Sequence, residues 1–290
     1  MQFRNLRQSL VFILNHPFNQ DRKLRALRTW LRWQIQSRFE KKILYSYVNS
    51  ARLVARRSQA GVTGNIYCGL HEWNEMAFTL HLLRPGDTFV DVGANVGSYT
   101  VLASACVGSA SIAIEPVPDT YQKLLENIRL NSIEELVRPL NIGLGDQQGM
   151  LNFTNDQDTV NHVAMRNEKN TVSVTVDTLD HVCDIGPVLI KIDVEGFEYQ
   201  VLRGATRILT AHTLCAMIIE WGENGSVNEM IATIMDSHGF KPMGYEPWTR
   251  KLTDMSLKSL KGNGLFIRNA DFVQARLKSS VAYRVQGVEV

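Results

Sequence analysis

FVDVGANVGSYT, residues 89–100, is the stretch from which the rest of this 290-residue chain is read. Phe89, Val90 and Val92 make a short apolar run that ends at Gly93, the pattern of a buried strand, and Gly97 opens a helix over 97–107. The alternation continues. SIAIEP (111–116) reads as a strand closed by Pro116, which removes a ladder donor. PDTYQKLLENIRLN (118–131) is a helix with Tyr121, Leu124, Leu125 and Ile128 on one face. Further strands follow at VRPLNIG (137–143), PVLIKID (187–193), CAMIIEW (215–221), GFKPMGY (239–245) and GLFIRN (264–269), with helices over 198–209 and 228–238. Strands rich in Val, Ile and Leu between helices imply a mostly parallel α/β sheet covered on both faces.

In such sheets ligands sit beyond the carboxyl ends of the strands. The residues to examine are therefore Asp91 to Gly97, Glu115, Asn141 to Gly143, Asp193 to Glu195, and Glu220. A dinucleotide loop would carry G-x-G-x-x-G, but its middle glycine is Asn95 here, and the Gly-Lys-Ser/Thr ending of a P-loop is absent. The spacing suits a nucleoside cofactor with an amino-acid tail, or a tight strand-to-helix turn that holds no ligand. Glu115 ends the second strand, where a carboxylate can accept both hydroxyls of a ribose; a nicotinamide enzyme would use the same device. Asp193 and Glu220 end adjacent strands about 4.8 Å apart. With Glu195 they have three readings: a divalent-cation site that activates a hydroxyl, a general base, or structural acids. No metal is assigned. The interlude 144–186 is an insertion on the same side, a lid candidate carrying two strand-like runs and His162, a second candidate base. His71 and Trp73 could border the crevice, whereas His81, His181, His212 and His238 read as surface residues.

Composition sets outer limits. Apolar residues make up 44% of the chain and charged ones 21%, as in globular proteins. Cys68, Cys106, Cys183 and Cys215 have no metal-like spacing and mostly sit in apolar runs, which favours buried free thiols, a reducing compartment and a cytoplasmic location. The run LVFIL at 10–14 is too short for a signal core, and no stretch approaches a membrane span. Residues 1–57 hold 13 Lys or Arg against 2 acids, a net +11, whereas the remainder holds 18 against 27, a net −9. Leu24, Leu27, Leu31, Ile35, Phe39 and Ile43 recur at helical steps among those arginines. Three readings compete for this amphipathic helix. It can pack its stripe on the acidic body or a partner chain, or adsorb at the inner membrane surface with Trp30, Trp33 and Phe39. Nucleic-acid binding is the third reading and is not expected, since no recognisable motif accompanies the charge. The organisation expected is a basic helical segment over 1–60, an α/β domain over 61–270 that includes the 144–186 insertion, and a tail over 271–290.

DVGANVGSYT, AIEPVPDTYQKLLENIRLN, NIGLGDQQG, VTVDTLD and LIKIDVEGFEYQVLRGA, in this order, resemble the FkbM family of S-adenosyl-L-methionine-dependent methyltransferases over roughly residues 70–222. The resemblance implies the class I methyltransferase fold, Rossmann-like, with a seven-stranded sheet whose last strand runs antiparallel. It also implies O-methylation of a hydroxyl, often on a sugar of a glycolipid, polysaccharide or natural product. Carried over by position, Asp91, Gly93, Ala94, Asn95 and Gly97 form the cofactor loop, Glu115 holds the ribose, and the neighbourhood of Asn141 flanks the adenine. Asp193, Glu195, Glu220 and His162 are the catalytic candidates. Methylation of RNA or protein, and a non-catalytic membrane-associated protein on the same fold, are the alternatives.

Overall fold

A computed structural model describes residues 6–57, 59–154, 171–222 and 224–290. In chain order the first elements are helices α1 (Leu6–Asn15) and α2 (Lys23–Phe39), hairpin β1 (Ile43–Ser46) and β2 (Arg52–Ala55), and helices α3 (Ala60–Cys68) and α4 (Trp73–Leu82). Then come β3 (Thr88–Val92), α5 (Ser98–Val101) running into a π-helical turn at Leu102–Val107, β4 (Ala110–Ile114), α6 (Pro118–Leu130) and β5 (Val137–Leu140). The insertion supplies β6 (Gly143–Leu144), β7 (Gly149–Thr154) and β8 (Thr171–Asp177). After α7 (Leu179–Val182) follow β9 (Leu189–Ile192), α8 (Glu198–Arg203), α9 (Thr206–Leu209), β10 (Ala216–Trp221) and α10 (Gly225–Ser237). The chain closes with β11 (Lys241–Glu246), β12 (Lys251–Asp254), β13 (Gly262–Ile267), α11 (Ala270–Lys278) and the small hairpin β14 (Arg284–Val285) and β15 (Val288–Glu289).

The main sheet runs β12-β11-β13-β10-β9-β3-β4-β5. β10, β9, β3, β4 and β5 are parallel, and β13 enters antiparallel between β10 and β11. The seven expected strands are all present with the last one reversed, and β12, a short polar edge strand, adds an eighth. Two-residue periodicity sends alternate side chains into two cores. Val90, Val92, Ile112, Ile114, Ile190, Ile192, Met217 and Ile219 pack beneath α7 to α10. Phe89, Ala113, Leu189 and Ile218 pack on the other face with α4 and the helix after β3. Residues of the N-terminal segment (Ile13, Trp33, Tyr47, Leu53) and of the tail (Val273, Leu277, Val285) share that second core. All four cysteines are free, and Cys68, Cys183 and Cys215 are buried.

Several expectations need correction. The strand at 137–143 splits, because Gly143 leaves the main sheet to pair β6 with β8. Helix α2 ends at Phe39, and Ile43 begins a strand instead of continuing the stripe. The stripe itself is inverted: α2 buries Ala26, Trp33 and Ser37, while Leu24, Leu31, Ile35 and Phe39 are 75%, 54%, 51% and 83% exposed. His81 is fully buried, with Nδ1 2.5 Å from the Tyr245 hydroxyl, because α4 is enclosed nearly all round. No described helix is long and apolar enough to cross a membrane.

Candidate active site

The turn after β3 is set by backbone constraints. The Gly93 and Ala94 amides both donate to the Ile114 carbonyl, at 3.0 and 2.9 Å. Gly93 has φ +78°, and a Cβ placed there would stand 1.9 Å from the Asp193 carbonyl oxygen. At Gly97, φ +91°, a Cβ would meet Leu124 of α6 at 2.6 Å. What passes close to these glycines is therefore the protein's own chain. The ligand-facing polarity comes from the carboxylates around the turn.

Glu115 accepts the Asn95 amide at 3.0 Å and the Val117 amide at 2.9 Å, one on each carboxylate oxygen. Each oxygen keeps a further lone pair for a donor from a ligand. Burial pushes the Glu115 carboxyl up to about 7, partly opposed by those two amides. Asp91 lies in the middle of the sheet and accepts the Thr100 hydroxyl at 2.7 Å on Oδ2. Its other oxygen, Oδ1, is buried with no hydrogen-bond partner among the described residues. Such an atom fits a cationic or N–H group brought by a ligand. Asn141 is turned differently: its amide donates to the carbonyls of Glu115 and Pro116 at 2.8 and 2.9 Å, tying two strand ends together.

Strand β9 contributes an ammonium where an apolar residue would be ordinary. Lys191 is 3% exposed and pairs in register with Asp91. Its Nζ donates to Asp193 Oδ2 at 2.7 Å and lies 5.0 Å from the Tyr99 ring centroid. Burial alone would lower the lysine, but Asp193, Asp91 and Glu72 outweigh it and hold the ammonium charged. Burial would likewise raise Asp193, and Lys191 outweighs it and keeps the carboxylate ionised. Glu220 is the opposite case: burial, then Asp193 and Glu195, push its carboxyl up to about 9, so it carries the pair's proton at neutral pH.

The DVEG loop is folded by local bonds. The Glu195 amide donates to Glu220 Oε2 at 3.2 Å, and Glu195 takes φ 54°. Glu198 Oε1 accepts the Val194 and Gly196 amides at 3.1 and 3.0 Å. Oxygens of Asp193, Glu195 and Glu220 lie within 4.8 Å of one another, a spacing that could surround a divalent cation. Lys191 already supplies positive charge at that corner.

A cavity of about 460 Å³ joins these groups, a size within the ~300–1,000 Å³ typical of small-molecule sites. Asp91, Gly93, Ala94, Asn95, Glu115, Asp193, Glu195 and Glu220 all line it. Gly97 and Asn141 are not in the lining, and His162 lies outside the described residues. A further part of the lining was missed by sequence reasoning except for His71. It comes from the start of α4 (Glu72, Glu75), from Tyr99, and from Phe12 of α1. Tyr99 donates to Glu72 Oε2 at 2.6 Å. The Glu75 carboxylate meets its own backbone amide, and burial followed by Glu72 pushes it up to about 7. His71 Nδ1 is buried without a partner among the described residues, and burial lowers its imidazole, leaving it neutral. Trp73 does not offer a face to the cavity contents: it packs against Phe18 and Trp248, with ring centroids at 5.4 and 4.9 Å.

The central part of the chain is similar to known proteins. The profile of the methyltransferase FkbM domain matches residues 91–242, from Asp91 to the start of β11. Hexuronic acid methyltransferase AglP of Haloferax volcanii is 31% identical over a match covering 42% of this chain and 52% of that protein. Methyltransferase 1 of Beauveria bassiana is 30% identical over 41% of this chain and 59% of its own. The chain thus spans between half and three-fifths of the length of these relatives. The crystal structure of methyltransferase FkbM from Methylobacillus flagellatus superposes with a TM-score of 0.47 at 18% identity, covering 71% of this chain and 52% of that one. A profile match that begins at the Asp91 turn and takes in every parallel strand from β4 to β10 assigns the chain to the FkbM methyltransferase family.

Proposed function

We propose that the protein transfers a methyl group from S-adenosyl-L-methionine to a hydroxyl of a sugar-containing acceptor. One observation carries this reading: a single cavity is lined both by Glu115, a strand-end carboxylate suited to a ribose, and by Glu72 and Glu75, carboxylates that can accept from the hydroxyls of an acceptor. The name of the Haloferax relative also points to a sugar. Bound there, S-adenosyl-L-methionine supplies a methyl on a sulfonium, an electrophile that needs no further activation.

The residues then divide the work. Glu115 accepts the two ribose hydroxyls on its free lone pairs. Asp91 Oδ1 receives the ammonium of the amino-acid tail, and Lys191 keeps Asp91 and Asp193 from repelling each other. Glu220, protonated, donates to Asp193 and fixes its orientation. Glu75 takes the acceptor's proton as the acceptor oxygen bonds the methyl carbon, and the sulfur retains the electron pair of the broken bond. Glu72, held by Tyr99, and His71 Nδ1 orient the neighbouring hydroxyls. Much of the acceleration then comes from alignment and water exclusion.

Calorimetry with S-adenosyl-L-methionine, S-adenosylhomocysteine and NAD is expected to show binding of the first two; binding of NAD alone overturns the proposal. A panel of free sugars, glycolipid headgroups and RNA, assayed with labelled cofactor, identifies the acceptor class. For the base, turnover at saturating cofactor should rise between about pH 6 and pH 8, because a carboxyl raised to about 7 is competent only once deprotonated. Glu75→Gln is expected to lower kcat about 10²-fold, abolish that rise and leave cofactor affinity unchanged. A full-height pH rise in the glutamine variant would assign the proton to another group.

A further inference from the structure

The exposed face of α2 has no use in the site just described. Leu24, Leu31, Ile35 and Phe39 follow seven- and four-residue steps, so they share one side of the helix, and all four are more than half exposed. Arg28, Arg32 and Arg38 are exposed on the same helix, and none has an ion-pair partner among the described residues. The helix contains no Asp or Glu at all. Leu31, Arg32, Ile35 and Gln36 line a shallow groove on this face. The opposite side, with Ala26, Trp33 and Ser37, is buried in the core, so the rotation of the helix is fixed and the face points outward.

We propose that this face docks on a bilayer carrying anionic headgroups. Large apolar side chains at the centre with guanidinium groups around them complement such a surface: the apolar tips enter the acyl boundary while the arginines meet phosphate. Nucleic acid is served less well, since four aliphatic and aromatic side chains at the centre would lie against phosphate with nothing to bury them. The two indoles expected to join this contact do not take part, because Trp33 is buried and Trp30 is packed on the core. Docking would also set the cavity beside the bilayer. α1 packs on α2, exposes Val11 and sends Phe12 into the cavity wall.

The test uses the full chain and vesicles of phosphatidylglycerol and phosphatidylcholine in equal parts. The protein is expected to co-sediment with them, at least about tenfold more weakly with phosphatidylcholine alone, and less as salt rises. Ile35→Glu with Phe39→Glu should weaken binding at least about tenfold, and Arg28→Glu with Arg32→Glu and Arg38→Glu should do the same by removing the other component. Thermal melting checks folding, and the arginine set stands as an independent readout if the first pair lowers it. Failure to bind anionic vesicles overturns the proposal, as does binding that neither set changes. It is equally overturned if what both sets abolish is binding to polyuridylate RNA or self-association, with vesicle binding intact.

Discussion

Replacing Lys191 with methionine is expected to destabilise the fold by about 3–5 kcal/mol at neutral pH, the usual cost of removing one partner from a buried charge pair. Lys191 is 3% exposed and answers to Asp193 at 2.7 Å and to Asp91 beside it in register. Methionine fills a similar volume, so the loss reports charge more than packing. The pH dependence separates the two. Asp193 is held below its ordinary 3.8 by the ammonium, so it contributes stability above that value and loses it as pH falls through the lower folded value. Without Lys191 that contribution disappears, and Asp91 and Asp193 must protonate to remain buried. The deficit of the variant should therefore be largest near about pH 8 and shrink towards about pH 5. Urea unfolding of both proteins across this range measures it. A deficit below about 1 kcal/mol, or one independent of pH, would remove Lys191 from the centre of the network.

Glu115→Ala should weaken binding of S-adenosyl-L-methionine by about 10²–10⁴-fold, corresponding to two hydrogen bonds to a charged group at roughly 1.5–3 kcal/mol each. It also deprives the Asn95 and Val117 amides of their acceptor, so the turn that frames the ligand loosens at the same time. Glu115→Gln tells these effects apart, since it keeps a carbonyl for one amide but no charge. With the carboxyl raised to about 7, binding to its ionised form must release a proton below that pH. Affinity of the native protein should accordingly fall about tenfold for each pH unit below about 6, and that of the glutamine variant should stay flat. Isothermal titration in buffers of different ionisation heat counts the proton directly; native affinity that is level from pH 8 to pH 5 would falsify the ribose role of Glu115.

Much of the fold and half of the candidate site could be read in advance. The apolar runs from 89 to 221 are long, regular and interrupted by helices, so the strand-end rule picked out Asp91, Glu115, Asp193 and Glu220 together. Lys191 left a signal that went unused: a lysine in LIKID, between residues that must be buried on both faces, needs anionic partners. Glu72 and Glu75 left none. They precede the first sheet strand, and only the packing of α4 on that sheet brings its first turn over the cavity. The stripe on α2 failed for another reason. Periodicity shows that a helix has an apolar side but not which side is covered, and here the covered side is the one with Ala26, Trp33 and Ser37. β12 is short and polar at a sheet edge, where neighbouring side chains do not enforce alternation.

The contact between Gly93 and Asp193 has a bearing on how this sequence can change over generations. What blocks a side chain at position 93 is the main-chain oxygen of residue 193, 1.9 Å from where a Cβ would sit. Every amino acid carries that oxygen. A mutation that puts alanine at 93 therefore has no suppressor at 193, whatever residue is tried there. Rescue would have to come from distant changes that move one strand end relative to the other, and those would also shift Glu115 and Glu220 from their partners. Selection at position 93 acts through the geometry of two backbones, and it would persist even if the ligand and the chemistry were exchanged for others.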